Sequence, residues 1–245
     1  IVNPLASDKK EPQFSWMIHS DRTGATSAAN QVVVETSPEK LDEKNADLWN
    51  SGKVPGSESL SVRYEGKPLA SKAFAYWKVR VWDNEGNVSQ WSAPASFGIG
   101  FLDDKDWASN AAFIGVPGNR GKSEVAPLLR KTFTAKEDAE RYLLHVNSLG
   151  YHEAYVNGTA VSDAVLSPAV SQFGVRTRIV TYDVTSLVHS GENDIIIWTG
   201  KGWYQTHNKA VVPGGPYVRA QLDCITSEGV TAVTATDGSW KYAES

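Results

Sequence analysis

The chain has 245 residues, of which 41% are hydrophobic and 21% charged, and a formal net charge of −4. Its length supports one large or two ordinary domains with water-excluding cores, and its composition excludes a disordered chain. An acidic balance without a basic stripe excludes the electrostatics of nucleic-acid binding, and no apolar run approaches the roughly 18 residues that span a bilayer as a helix.

A single cysteine, Cys224, rules out an intrachain disulfide and a cysteine-based metal site, a usage that fits the cytoplasm and disulfide-free exported proteins alike. The opening Ile1-Val2-Asn3-Pro4 carries no initiator methionine, basic n-region or apolar h-region, so the chain reads as a processed or trimmed product.

Short alternating runs rich in β-formers recur between clusters of Gly, Pro, Asn and Asp, and few windows hold a 3.6-residue apolar period. The expectation is an all-β chain of two tandem β-sandwiches. Strands are predicted over 14–19, 31–35, 59–62, 75–82 and 95–99. In the fourth of these, Trp77, Val79 and Val81 share one face and Lys78 and Arg80 the other, as in a half-buried strand. The run from Asp83 to Asn87 then turns the chain back toward Trp91. A short helix is allowed only in places such as 38–45. This density of short segments fits a fibronectin-III-like sandwich over residues 1–101.

The texture then becomes acidic at Asp103, Asp104 and Asp106, and Gly- and Pro-rich from Pro117 to Gly121, which marks a boundary near residue 101. A second series follows at 128–133, 141–148, 151–156, 179–183, 194–199, 218–225 and 230–234, with turns at Asn157-Gly158 and Gly191-Glu192-Asn193. Residues 102–245 are read as a jelly-roll sandwich, open to truncation at its C-terminal end.

Motifs that imitate chemistry fail on spacing. Gly118 to Ser123 looks like a phosphate loop, but the pattern needs a glycine where Val116 stands and a helix where a strand follows, so it reads as an interdomain loop. Asp83 to Asn87 imitates the start of a calcium loop, yet its twelfth position falls on Pro94 instead of a bidentate glutamate. His19, His145, His152, His189 and His207 lack the tight spacing of zinc ligands. No serine sits in a Gly-x-Ser-x-Gly elbow, and Cys224 has no neighbouring nucleophile signature. Glycoside hydrolysis needs two carboxylates at a set separation, and 28 acidic residues single out no pair. Glu153, alternating with Tyr151 and Tyr155, is the one considered; a solvated residue on a half-exposed sheet face accounts for it.

The strongest local signal is Gly200-Lys201-Gly202-Trp203-Tyr204, which follows the apolar run Ile195-Ile196-Ile197-Trp198. Two glycines place Trp203 and Tyr204 where a strand leaves its sheet. There they are expected to dock a neighbouring domain or to stack on a sugar ring, docking being favoured because aromatics are the common anchors of interfaces.

Taken together, the motifs resemble the N-terminal, non-catalytic region of the bacterial α-L-rhamnosidases of glycoside hydrolase family 78. The resemblance rests on Leu48-Trp49-Asn50-Ser51-Gly52-Lys53, Tyr76-Trp77-Lys78-Val79-Arg80-Val81-Trp82-Asp83 and Trp91-Ser92 in the first part. In the second it rests on Asp106-Trp107, Gly150-Tyr151-His152-Glu153-Ala154-Tyr155-Val156-Asn157-Gly158, Gly202-Trp203-Tyr204 and Asp237-Gly238-Ser239-Trp240. It implies an inverting hydrolase that removes terminal α-L-rhamnose, its acid and base carried on a C-terminal (α/α)6 barrel outside this sequence, so no catalytic residue is assigned here. It further implies that barrel and rhamnose-containing carbohydrate as partners, and a periplasmic or extracellular setting. Calcium enters through some relatives only, with no ligand set that can be matched to this chain. An independent carbohydrate-binding module and an adhesion-type fragment stand beside this reading, because a sandwich fold alone does not choose among them.

Overall fold

The computed structural model describes residues 2–116, 126–206 and 214–244 and divides the chain into two compact units, Ile1–Asp106 and Trp107–Ser245. In the first unit β1 (Gln13–Phe14) pairs with β5 (Val62–Arg63). A larger antiparallel sheet joins β2 (Ser27–Glu35), β3 (Trp49–Asn50), β4 (Val54–Pro55), β6 (Phe74–Asp83) and β7 (Ala95–Gly98) in the order β3-β2-β6-β7, with β4 also on β2. Alternation sends Val32, Val34, Ala75 and Val79 inward. They meet Phe14, whose ring lies 4.6 Å from Trp77, 5.6 Å from Phe97, 6.2 Å from Trp49 and 6.3 Å from Tyr64, centroid to centroid. Two of the tryptophans thus serve as core rather than as ligand contacts.

The opposite face of β6 carries an interleaved stack. The Arg80 guanidinium lies 5.1 Å from the Trp82 ring and 4.6 Å from Trp91, Lys53 covers Trp82 at 4.7 Å, and Lys78 covers Trp91 at 4.9 Å. Arg80 also donates from Nε to Gln31 at 2.9 Å and from Nη2 to Glu43 at 2.5 Å. Of the basic residues on this face, Arg80 is layered between two indoles and Lys78 covers one, each contact contributing about 0.5–1 kcal/mol.

The second unit is a sandwich of two antiparallel sheets. One has the order β11 (Thr159–Ala160), β10 (Tyr151–Val156), β13 (Glu192–Gly200), β8 (Leu128–Thr134), β16 (Lys241–Ala243); the other has β12 (Ile179–Asp183), β9 (Arg141–Leu149), β14 (Tyr217–Thr226), β15 (Gly229–Ala235). Leu144, Val146 and Leu222 from the second meet Val156, Ile195 and Ile197 from the first in one core. Val156 stands opposite Thr159, so Asn157-Gly158 forms the whole connection. Its φ values of +50° and +77° explain the glycine, which takes the left-handed conformation without a Cβ clash.

The structure corrects several expected boundaries. β1 and β5 are two-residue strands rather than 14–19 and 59–62, and β3, β4, β11 and β16 are additional. Two or three residues carry no readable period. The helix allowed over 38–45 is one 3-10 turn, Pro38–Lys40, whereas a five-residue helix, α1 (Gly202–Thr206), stands where only a turn was expected. Such a helix is too short to show an apolar face and is held by tertiary contacts. The candidate phosphate loop over 118–123 and His207 lie outside the described residues.

We expect Arg80→Ala to destabilise the first unit by about 2 kcal/mol, from two lost cation–π contacts and the lost packing of the Arg stem. Arg80→Lys should recover less than half, because an ammonium cannot lie flat between two indoles. Urea unfolding followed by tryptophan fluorescence measures both; a midpoint unchanged in Arg80→Ala would refute the role of the stack.

Candidate functional site

With the inner faces of the second unit committed to its core, chemistry is left to the outer faces and the strand ends. β10 presents Tyr151, Glu153 and Tyr155 outward, and the register sets Glu153 beside Trp198 and Trp198 beside Leu128. Tyr155 donates its hydroxyl to Glu153 Oε2 at 2.6 Å, and this bond raises the pKa of the phenol. Arg130 Nε donates to Asp194 at 2.7 Å, and Trp198, 40% exposed, donates Nε1–H to the carbonyl of Ala126 at 2.9 Å. Glu153 is thus an acceptor for a tyrosine on a half-exposed aromatic face.

Behind this face the same alternation turns His152 inward. Ser148 Oγ donates to the carbonyl of Gly150 at 3.1 Å and lies 2.7 Å from His152 Nδ1; Nε2 lies 2.9 Å from the Tyr182 hydroxyl. Because Ser148 has spent its proton on Gly150, it must accept from Nδ1–H, and Nε2 is left to accept from Tyr182. The chain therefore runs in one direction and requires a neutral imidazole. Burial of the ring pushes its pKa down to about 4. His152 and Tyr182 line the floor of a cleft of about 140 Å³ whose rim includes Glu153, Tyr155, Asp163 and Val165. A hollow of about 350 Å³ in the first unit is lined by Lys9, Lys10, Glu11, Gln13 and Arg63, with no aromatic platform.

The expected pair Trp203 and Tyr204 is divided by α1. Trp203 is 49% exposed, but Tyr204 is buried, with Phe173 at 5.4 Å and Tyr217 at 6.4 Å, both edge-on. Burial pushes the Tyr204 phenol up to about 12. The expectation that both rings are presented is corrected: consecutive residues of a helical turn point about 100° apart, so one ring outside puts its neighbour inside. Gly202 permits this turn, since its φ is +50° and a Cβ there would meet the Tyr151 ring at 3.1 Å. Trp198 and the Ser148–His152–Tyr182 chain were not singled out from the sequence. The signal for both was strand alternation, with His152 in phase with Ala154 and Val156.

The other candidates resolve into structure. Asp83 accepts the backbone N–H groups of Glu85 and Asn87 and an ion pair from Arg22 at 2.9 Å, so its carboxylate is engaged within a turn and does not fit a calcium ligand. No group of three or more His, Cys, Asp or Glu among the described residues is placed to hold a metal. His145 is buried, 2.8 Å from the Thr181 hydroxyl and 3.4 Å from the carboxylate of Asp223. Cys224 is buried, and burial raises its thiol pKa away from a nucleophile's range.

Comparison with known proteins finds two family models. Residues 1–103 match the Rha78A-like, N-terminal immunoglobulin domain, and residues 137–245 match the alpha-L-rhamnosidase N-terminal domain. An alpha-L-rhamnosidase of Formosa agariphila is 32% identical over 98% of this chain and 28% of its own length; one from Alteromonas sp. is 30% identical over 100% and 28%. Among solved structures, alpha-L-rhamnosidase from Dictyoglumus thermophilum superposes with a TM-score of 0.88 at 29% identity, over 99% of this chain and 28% of that one. The chain thus spans little more than a quarter of the length of the relatives it matches.

We expect the buried His152 to make stability depend on pH. Unfolded, the ring titrates near 6.5, and folded near 4, so between these values the unfolded state alone binds the proton and stability rises with pH. The stabilisation is complete above 6.5 and declines as the pH falls toward 4, by about 3 kcal/mol in all. In His152→Gln this component should vanish. Chemical denaturation at a series of pH values tests it, and an unaltered profile in the variant would count against the chain of hydrogen bonds.

Proposed function

We infer, for a chain whose two domains are those of the N-terminal region of the family 78 α-L-rhamnosidases, that it is the accessory part of a longer enzyme that removes terminal α-L-rhamnose from glycans or glycosides. In this reading it supports a catalytic portion lying outside the 245 residues. The observation that carries the reading is the coverage: relatives match essentially all of this chain with little more than a quarter of their own length. The site geometry agrees, since the Glu153 carboxylate is engaged by the Tyr155 hydroxyl.

The 245-residue chain should therefore release no nitrophenol from the aryl α-L-rhamnoside above a blank. Turnover by the pure chain that survives repeated purification would overturn the assignment.

Carbohydrate binding by Trp203 is the weaker role in this reading, because its neighbour Tyr204 is buried and cannot form a two-ring platform. One stacking ring contributes on the order of 1 kcal/mol beyond its buried area, so free rhamnose should bind at millimolar affinity at best. Sub-millimolar quenching of tryptophan fluorescence by rhamnose, lost in Trp203→Ala, would instead make this loop a sugar site.

A further inference from the structure

Strand alternation leaves Gln31, Val33 and Glu35 of β2 on the outer face of the larger sheet of the first unit, in register with Arg80, Lys78 and Tyr76 of β6. An outer face is ordinarily wet, yet these three residues of β2 are 5%, 0% and 0% exposed. Residues 36–48, which join β2 to β3, are fastened around this face. Thr36 donates its amide at 3.0 Å and its hydroxyl at 2.6 Å to the Asp47 carboxylate, which closes the segment at its base. Farther along, Glu43 accepts from Arg80 through its carboxylate and from Asn50 at 2.7 Å through its carbonyl, and Leu41 is buried.

The Glu35 side chain is fully buried, and among the described residues neither of its carboxyl oxygens has a hydrogen-bond partner of normal geometry. An ionised carboxylate taken out of water without a donor is the costly form, whereas the neutral acid needs only an acceptor for its O–H. From residues 36–48 the amide and carboxyl of Asp47 face it, together with the charge of Asp42. Asp42 is engaged by the amides of Lys44 and Asn45 and by the Asn45 side chain. On β6 the cations of the same face are committed elsewhere, Lys78 to Trp91 and Arg80 to Gln31, Glu43 and two indoles. Asp47, fixed by Thr36 and within the field of Lys67, is left as the acceptor for a Glu35 O–H. The titration of the two groups agrees: burial raises the pKa of Glu35, and Asp47, although burial acts to raise it as well, is held below the usual aspartate value by its bonds with Thr36 and Glu35.

We propose that Glu35 and Asp47 share a single proton, and that this carboxyl–carboxylate hydrogen bond latches residues 36–48 over the outer face of the sheet and loosens as the pH rises. When Glu35 ionises, its proton passes to water, two carboxylates face each other with Asp42 beside them, and like-charge repulsion favours lifting the segment from β2. Glu35 binds its proton more tightly with the segment closed than with it open, so closure weakens as the pH rises from the ordinary value of 4.5 until the closed form ionises, and is level above that point. Asp47 sets the acid limit in the opposite sense, since closure weakens again as the pH falls below 3.8. Lifting uncovers Gln31, Val33 and the side of Arg80 that Glu43 holds, so the latch governs access to the stack of Arg80 with its two indoles.

Carbon-13 NMR of the side-chain carboxyls in the full chain, combined with amide hydrogen exchange normalised to intrinsic rates, tests the latch. Glu35 should titrate above the ordinary carboxylate range. Protection of the Thr36 amide should fall about tenfold per pH unit between pH 4.5 and the Glu35 midpoint, the slope for one proton released on opening. In Glu35→Gln, where an amide N–H replaces the acid O–H, protection should stay flat over that range. A Glu35 midpoint in the ordinary range, or a slope that persists in Glu35→Gln, would overturn the proposal. Protection that rises when calcium or magnesium is added to the native chain at neutral pH, and not in the variant, would also overturn it, because a cation would then bridge the two carboxylates. If the variant does not fold, the native chain decides by itself: the loss of Thr36 protection must level off at the Glu35 midpoint, and a mismatch sinks the latch.

Discussion

Two-residue alternation along the strands is the constraint from which the rest of the second unit follows. Because Val146 and Leu222 must face Ile195 and Ile197 to exclude water, every intervening residue is assigned to an outer face. Glu153 and Tyr155 are outside for the same reason that Ala154 and Val156 are inside. A one-residue slip of β10 against β13 would bury the Glu153 carboxylate and expose Val156, so the register that builds the core also fixes the aromatic outer face.

His152 is one of several polar side chains buried in the second unit. A polar ring inside a sandwich is tolerated when each nitrogen has a partner of the correct sense, and here Ser148 and Tyr182 supply one acceptor and one donor. This ties together β9, β10 and β12, and through the His152 amide the loop after β11 as well. The loop after β11 is therefore tied, through the carbonyl of Ser167, to the strand that carries the buried imidazole. In the first unit the Arg80 stack makes the corresponding use of an outer face, layering cations between indoles where an apolar surface would otherwise remain.

How much of this was legible varies with the length scale of each feature. Long strands such as β6, β9, β10 and β14 were readable because a period of two repeats enough times in six to ten residues to be recognised. β3, β4 and β11 were not, since two residues contain no repeat and exist only because a longer neighbour offers its edge. Trp203 and Tyr204 were found by composition and glycine spacing, but their opposite fates depend on α1, whose turn is set by Tyr151, Phe173 and Tyr217 from distant parts of the chain.

The sequence by itself determined the all-β class, the apolar and polar faces of the long strands and the Asn157-Gly158 turn, because each depends on residues within a few positions of one another. It also carried the family resemblance through ordered short motifs. Tertiary structure alone decided that Tyr204 is buried while Trp203 is half exposed, that His152 stays neutral, and that Ala243 arrives two strands from Trp198. These depend on pairings between distant segments, such as His152 with Tyr182, 30 residues apart, and Leu128 with Ala243, 115 apart. Local propensity contains no information about which distant surface a side chain will meet.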